Sequence, residues 1–213
     1  ELVLGVGTYR EGKNKLLSKF IQWDSLMVAI QYLSYSLKGM TYMSVGRNVA
    51  YTKSLFSQVN GFTSHLNISS GDDDLFVQEV KSNTNTSIII NKEAHTRSLP
   101  SESWTSFIKQ KSRHFSTGSK YNFKTLVLLG FYQVSTLVFY TSMLVTLFID
   151  NSLTFLLTMF LVKNFVQATV FRRIFFKIGV RVQLIPFLFF DIFWVLLLTI
   201  VNIKRLISPS TKW

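Results

Sequence analysis

Residues 125–149, TLVLLGFYQVSTLVFYTSMLVTLFI, run for 25 positions without a charge. About 20 apolar residues in a helix cross the hydrocarbon core of a bilayer. The stretch from Thr125 to Ile149 therefore predicts a transmembrane span, and it divides the 213-residue chain into two parts with different solvents. Up to Lys124 there are 15 Lys and Arg and nine Asp and Glu; beyond it there are eight and two. Hydrophobic residues make up 48% of the chain, 20 of them Phe, which excludes a disordered chain and an ordinary soluble domain. The absence of cysteine excludes disulfides, thiolate metal sites and a Cys nucleophile. With the apolar residues concentrated in one half, the net charge of +12 points to anionic lipid headgroups rather than nucleic acid.

Two further apolar stretches follow. Leu153 to Phe171 carries Lys163, Asn164 and Gln167, and Leu184 to Ile203 carries Asp191. An unpaired charge at mid-bilayer costs roughly 3 kcal/mol or more, so Lys163 is expected to pair with Asp191 between helices or to snorkel, as structure, or else to serve a passing substrate. Pro186 and Asp191 also allow a kink or a re-entrant segment. Asp150, Asn151 and Ser152 join the first two spans without positive charge, whereas Arg172, Arg173, Lys177 and Arg181 crowd the next loop. The positive-inside rule then places that loop and the soluble half in the cytoplasm. Lys204, Arg205 and Lys212 at the tail disagree with three full crossings.

In the first half, Glu1 to Val6 reads as a buried strand, and Asn14 to Leu37 shows helical spacing from Leu16 through Phe20, Trp23, Met27 and Leu33. Asp24 stands alone on that helix. Gly39 ends it, a short strand is expected near Tyr42 to Val45, and Gly46-Arg47-Asn48-Val49-Ala50-Tyr51 follows. Lys53 to Val59 predicts a helix and Asn60-Gly61-Phe62 a turn. Ser69-Ser70-Gly71-Asp72-Asp73-Asp74-Leu75-Phe76 opens a helix to about Lys81, where carboxylates suit the free amides of the first turn. Thr86 to Asn91 predicts a strand. Pro100 and Ser101 start a helix through about Ser116, with Trp104, Phe107, Ile108 and Phe115 on one side and Lys109, Gln110, Arg113 and His114 on another; within residues 101–124 this reads as an amphipathic interfacial helix and linker. No G-x-G-x-x-G phosphate loop is present.

Two constellations carry chemistry. Three adjacent aspartates repel one another, and the triplet is either an acidic helix start or the seat of a general base whose pKa its neighbours raise. On the later helix Gln110, Arg113 and His114 share a face at spacings of three and four. An amide beside a planar guanidinium suits a diphosphate leaving group; the same face could equally meet lipid phosphates.

The order of these parts resembles the second half of membrane-bound family 2 glycosyltransferases, the group of cellulose synthases, hyaluronan synthases and ceramide glucosyltransferases. Gly46 to Tyr51, Asn60-Gly61-Phe62, Gly71 to Phe76 and Gln110 to His114 carry the resemblance. It implies an α/β fold: residues 1–100 as the acceptor-side part of an incomplete GT-A-like domain, then the interfacial helix, then a transmembrane region over 125–213 with spans near 125–149, 153–171 and 184–203. It further implies inverting transfer of a sugar from a nucleotide-sugar donor to a hydroxyl of a glycan or lipid acceptor, with Asp73 as the general base, or Asp72 if Leu75 anchors the motif. Gln110 and Arg113 would line the acceptor and diphosphate site, with His114, Asp74, Arg47 and Asn48 beside them. His114 stands where the family has tryptophan, which removes a stacking surface and makes long-chain processive synthesis less expected. Mg²⁺ or Mn²⁺ would be held mainly by a donor-binding half expected upstream, since the chain starts in mid-strand and nothing before Gly46 supplies a D-x-D site. The isolated chain is therefore expected neither to bind nucleotide-sugar tightly nor to turn over.

The resemblance also implies an integral protein of the bacterial cytoplasmic membrane, surrounded by membrane lipids and without a nucleic-acid partner. The competing expectation is a non-enzymatic membrane-anchored protein with a basic lipid-binding face. A transporter built on Lys163 and Asp191 fits less well, given the large soluble half.

Overall fold

A computed structural model describes residues 1–68, 70–81, 85–118, 121–149, 153–180 and 185–207, the side chains of Ser116 and of residues 185–188 and 204–207 excepted. Ser69, Asp150, Asn151, Ser152, Arg181, Leu184 and Lys212, and the side chains of Pro186, Lys204 and Arg205, lie outside the described residues. The chain is mostly helical, with a small mixed sheet. It forms two units, one of Glu1–Asn122 with the residues from Val201 onward and one of Phe123–Ile200.

In the first unit, strand β1 (Leu2–Leu4) lies at the centre of a three-stranded sheet, antiparallel to β3 (Val49–Tyr51) and parallel to β4 (Thr86–Ile88). Strand β2 (Gly7–Tyr9) pairs in parallel with β5 (Thr96–Ser98) as a separate two-stranded ladder. The strand expected over Glu1 to Val6 is thus interrupted after Leu4, and Leu2, Leu4 and Val6 are all fully buried.

Helix α1 (Lys15–Leu37) covers these strands. Asn14 caps it by accepting from the Leu17 amide at 3.1 Å, and Gly39 leaves it with φ of 71°. Its inner face buries Phe20, Trp23 and Met27, each contributing about 2–3 kcal/mol by area. Its polar residues bond to the strands: Ser25 Oγ donates to Gly7 O at 2.8 Å, and Tyr32 Oη to Gly5 O at 2.6 Å. Helix α2 (Lys53–Gln58) follows, capped by Thr52, and Asn60 and Gly61 turn at positive φ as the Asn-Gly pair predicts. Helix α3 spans Asp72–Val80 and α4 spans Trp104–Gly118.

Three local expectations are corrected. Residues 41–45 form no strand; Tyr42 packs on the rings of Tyr35 and Tyr121, Ser44 is buried, and pairing begins only at Val49. The strand expected to reach Asn91 ends at Ile88, because Lys92–Ala94 tightens into a 3-10 turn. Helix α4 starts after Pro100 and Ser101, since Ser103 takes the capping place: its Oγ accepts from the Ser106 amide at 3.2 Å.

The second unit is helical. Helices α5 (Phe123–Ile149) and α6 (Leu153–Ile178) are long and apolar enough to cross a membrane. A core helix of a soluble protein would be mostly buried, yet only 6% and 11% of their most apolar windows are covered by protein. Helix α6 continues past Phe171, so Arg172, Arg173 and Lys177 sit on its last turns instead of in a loop, with Phe171, Phe175 and Ile178 buried at helical spacing. The third apolar stretch forms α7 (Ile185–Ile207), whose apolar part is the shorter Phe189–Ile203.

Candidate active site

The site grows from the turn Gly46–Asn48. Asn48 donates both side-chain N–H groups to main-chain carbonyls, Val6 O and Ala94 O, each at 2.9 Å, while its own carbonyl accepts from the Gly5 amide. A Cβ on Gly5 would overlap the Asn48 side chain. Asn48 is therefore wedged into the break between β1 and β2, and its side-chain donors are spent on the fold. Asn48→Ala is expected to lower stability by about 1–3 kcal/mol, and Asn48→Asp by more, because a carboxylate would face two carbonyls; thermal melts of the purified chain measure both. The wedge swings Arg47 over β2, where its guanidinium lies 4.0 Å from the Tyr9 ring centroid and its Nη2 reaches Ser25 Oγ at 3.3 Å. Gly7 makes this possible, since a side chain there would collide with Arg47.

The acidic triplet begins α3, and its three carboxyls face different surroundings. Asp72 is exposed. Asp73 is half-buried and accepts from the Gly46 amide at 2.6 Å, tying the helix start to the Gly-Arg-Asn turn. Burial, then the charge of Asp72, raises its pKa, while the amides of Gly46 and Asp74 pull the other way. Asp74 is 5% exposed and accepts from Tyr121 Oη at 2.7 Å. Burial, then the charge of Asp73, pushes its pKa up to about 8. At neutral pH Asp74 is therefore protonated.

The residue before the triplet, Gly71, has φ of 81°, and a Cβ there would occupy the place of Thr117 on α4. Thr117 Oγ1 donates to Ser70 O at 3.1 Å. Gly71→Ala is expected to push α4 off this turn and to cost roughly 1–2 kcal/mol for the backbone alone. Gly71→Ala with Thr117→Ala removes the overlap with the two γ atoms but leaves the Cβ of residue 117 at 2.7 Å, so it should recover only part of the loss and keep the backbone cost, which chemical denaturation of the two variants will resolve.

Helix α4 brings the second constellation. Lys111 pairs with the buried Asp24 at 2.5 Å, so Asp24 does not stand alone as the sequence suggested. Phe20 of α1 packs against Trp104 and Phe107 of α4, with centroids 5.6 and 5.8 Å away. Gln110 accepts from Ser101 Oγ at 3.1 Å, and Arg113 and His114 are exposed on the next turn. Crowding around the His114 ring, followed by the charges of Lys111 and Arg113, pushes its pKa down to about 4. The imidazole is therefore neutral at physiological pH. Arg47 also acts on His114, which places the Gly-Arg-Asn turn within electrostatic reach of α4.

The structure thus links three of the predicted groups: Gly46 to Asp73, Ser70 and Gly71 to Thr117, and Arg47 to the surroundings of His114. Thr117 follows His114 by three residues and Arg113 by four, so the exposed pair lies one turn from the acidic triplet. Gln110 lies a further turn back. Sequence reasoning passed over Thr117, Tyr121 and the Asp24–Lys111 pair. Thr117 was within reach, because it continues the face of Gln110, Arg113 and His114 at helical spacing.

Among the described residues no group of three His, Cys, Asp or Glu side chains is placed to hold a metal. The triplet's carboxyls diverge, one to solvent, one to Gly46 and one to Tyr121, so these residues do not fit Mg²⁺ or Mn²⁺. No family model, curated protein or solved structure matches the chain.

Proposed function

We propose that this chain is the acceptor-side and membrane part of an inverting glycosyltransferase of the family 2 type, moving a sugar from a nucleotide-sugar to an acceptor hydroxyl at the cytoplasmic face of a membrane. The observation that supports it is the meeting of the Gly-Arg-Asn turn, the start of α3 and the last turns of α4 around one carboxylate pair, although these segments are far apart in sequence. Asp73 serves as the base: its raised pKa makes it a stronger proton acceptor than an ordinary carboxylate, and the bond from the Gly46 amide holds the carboxyl in place. Arg113 and Arg47 supply positive charge for the departing diphosphate, and neutral His114 and Gln110 offer hydrogen bonds to the acceptor. Any Mg²⁺ or Mn²⁺ would come with the donor phosphates. The exposed apolar faces of α5 and α6 support the membrane setting.

The test is sugar incorporation by membranes containing the gene product, supplied with a panel of labelled nucleotide-sugars. Incorporation that depends on Asp73 or Asp72 is expected. A lipid-binding scaffold would retain its membrane association in both Asn variants and incorporate nothing in any form. Arg113→Lys keeps the charge but loses the planar fork, and it should lower turnover about tenfold or more if the guanidinium meets a diphosphate.

A further inference from the structure

We propose that Tyr121 and Asp74 are a positioning pair for the carboxylates of α3: the phenol bonded to buried Asp74, together with Thr117 bonded to Ser70, grips the first turn of the helix from both sides and sets where Asp72 and Asp73 stand. The proposal rests on the reading of α3 as the seat of the base.

The geometry is specific. Thr117 lies in the last turn of α4 and Tyr121 three residues beyond its end, and residues 70 and 74 flank the two carboxylates in question. Tyr121 is fixed independently of Asp74, since its amide donates to Gly118 O at 3.1 Å and its ring meets the Tyr42 ring edge-on at 5.8 Å. The titratable groups facing Asp74 are Asp72 and Asp73 on α3, Tyr42 on the segment before the Gly-Arg-Asn turn, and Tyr121 itself. None of them is a cation. A carboxylate buried among acids is costly, and an asparagine would make the same bond to the phenol. What an aspartic acid adds is a proton that it gives up when the pH rises, at which point charge beside Asp73 strains the grip. The phenol of Tyr121 and the Ser44 amide favour the charged form, but burial and the charge of Asp73 outweigh them, and Asp74 Oδ1 is buried without a hydrogen-bond partner.

Amide hydrogen exchange of the full chain in lipid nanodiscs tests this, with rates corrected for the intrinsic effect of pH. Tyr121→Phe is expected to speed exchange at residues 72–76 about tenfold, the equivalent of one net hydrogen bond, and to leave α1 unchanged. Wild-type exchange at the same amides should rise several-fold between pH 6.5 and 9, and Asp74→Asn should remove that step while keeping protection at pH 6.5. Unchanged exchange at 72–76 in Tyr121→Phe, or equal loosening throughout the first unit, would overturn the pair. Transfer by the gene product is read in parallel: Tyr121→Phe should lower kcat more than it raises the donor KM. If exchange behaves as expected while Asp72→Asn and Asp73→Asn both transfer normally, the reading of α3 as a catalytic helix fails, and the positioning role with it.

Discussion

Asp73→Asn is expected to lower sugar transfer by about 10²–10⁴-fold, the usual contribution of a general base, with the loss in kcat. The variant is nearly isosteric, and the amide oxygen of Asn can still accept from the Gly46 amide, so the turn that carries Arg47 stays in place. A fall in activity without a fall in melting temperature would then report chemistry rather than folding. The pH profile adds a second readout. The base acts when ionised, and burial and Asp72 raise its pKa. Turnover should accordingly fall as pH drops through a value above the ordinary carboxylate range, instead of holding down to about pH 4. Asp72→Asn is the paired measurement. Asp72 is exposed, so its removal should lower the Asp73 pKa and shift the acid limb downward with a smaller loss of rate. Were Asp72→Asn the more damaging change, the base would be Asp72 and Asp73 would be the clamp on Gly46.

What the sequence made legible follows from how local each signal is. Helix α1 was readable because its cap, its apolar period and its terminating glycine all lie within the segment. The span over Thr125 to Ile149 was readable because charge is absent throughout, and α5 exceeds it by only two residues at its start. The extension of α6 past Phe171 was missed because Arg172, Arg173 and Lys177 weigh heavily in a hydropathy reading, although Phe171, Phe175 and Ile178 keep the helical period through them. Pairings between distant segments left no local trace. Nothing near Asp24 announces Lys111, and nothing near Asn48 announces that its amide fills the gap after β1. The same holds for the site. Residue types pointed to the triplet and to α4, but only the fold shows that the three aspartates are chemically unlike, one exposed, one on Gly46 and one protonated against Tyr121.

In the second unit Lys163→Ala is expected to destabilise the helices by about 3–5 kcal/mol, the cost of leaving a buried charge without its partner. Asp191 on α7 is 1% exposed, and its carboxylate gathers three donors: Lys163 of α6, Tyr140 Oη of α5 at 2.8 Å and Gln167 Nε2 of α6 at 3.1 Å. Lys163 also donates to Tyr140 Oη at 2.8 Å, so one cluster of side chains ties all three helices. The two readings of these charges, interhelical structure or substrate passage, predict different outcomes for a double change. Lys163→Met with Asp191→Leu removes both charges and supplies apolar volume. As structure, the pair is replaceable, and the double variant should regain most of the stability lost by either single change, giving a coupling energy of several kcal/mol in a double-mutant cycle. As a passage, it would fold and lose function. The geometry favours structure, because the carboxylate already has three donors and, at 1% exposed, would otherwise be a buried charge without a partner. Thermal unfolding of the purified chain in detergent, with protease sensitivity of α7 as the local readout, should therefore show both single variants loosened and the double variant close to wild type.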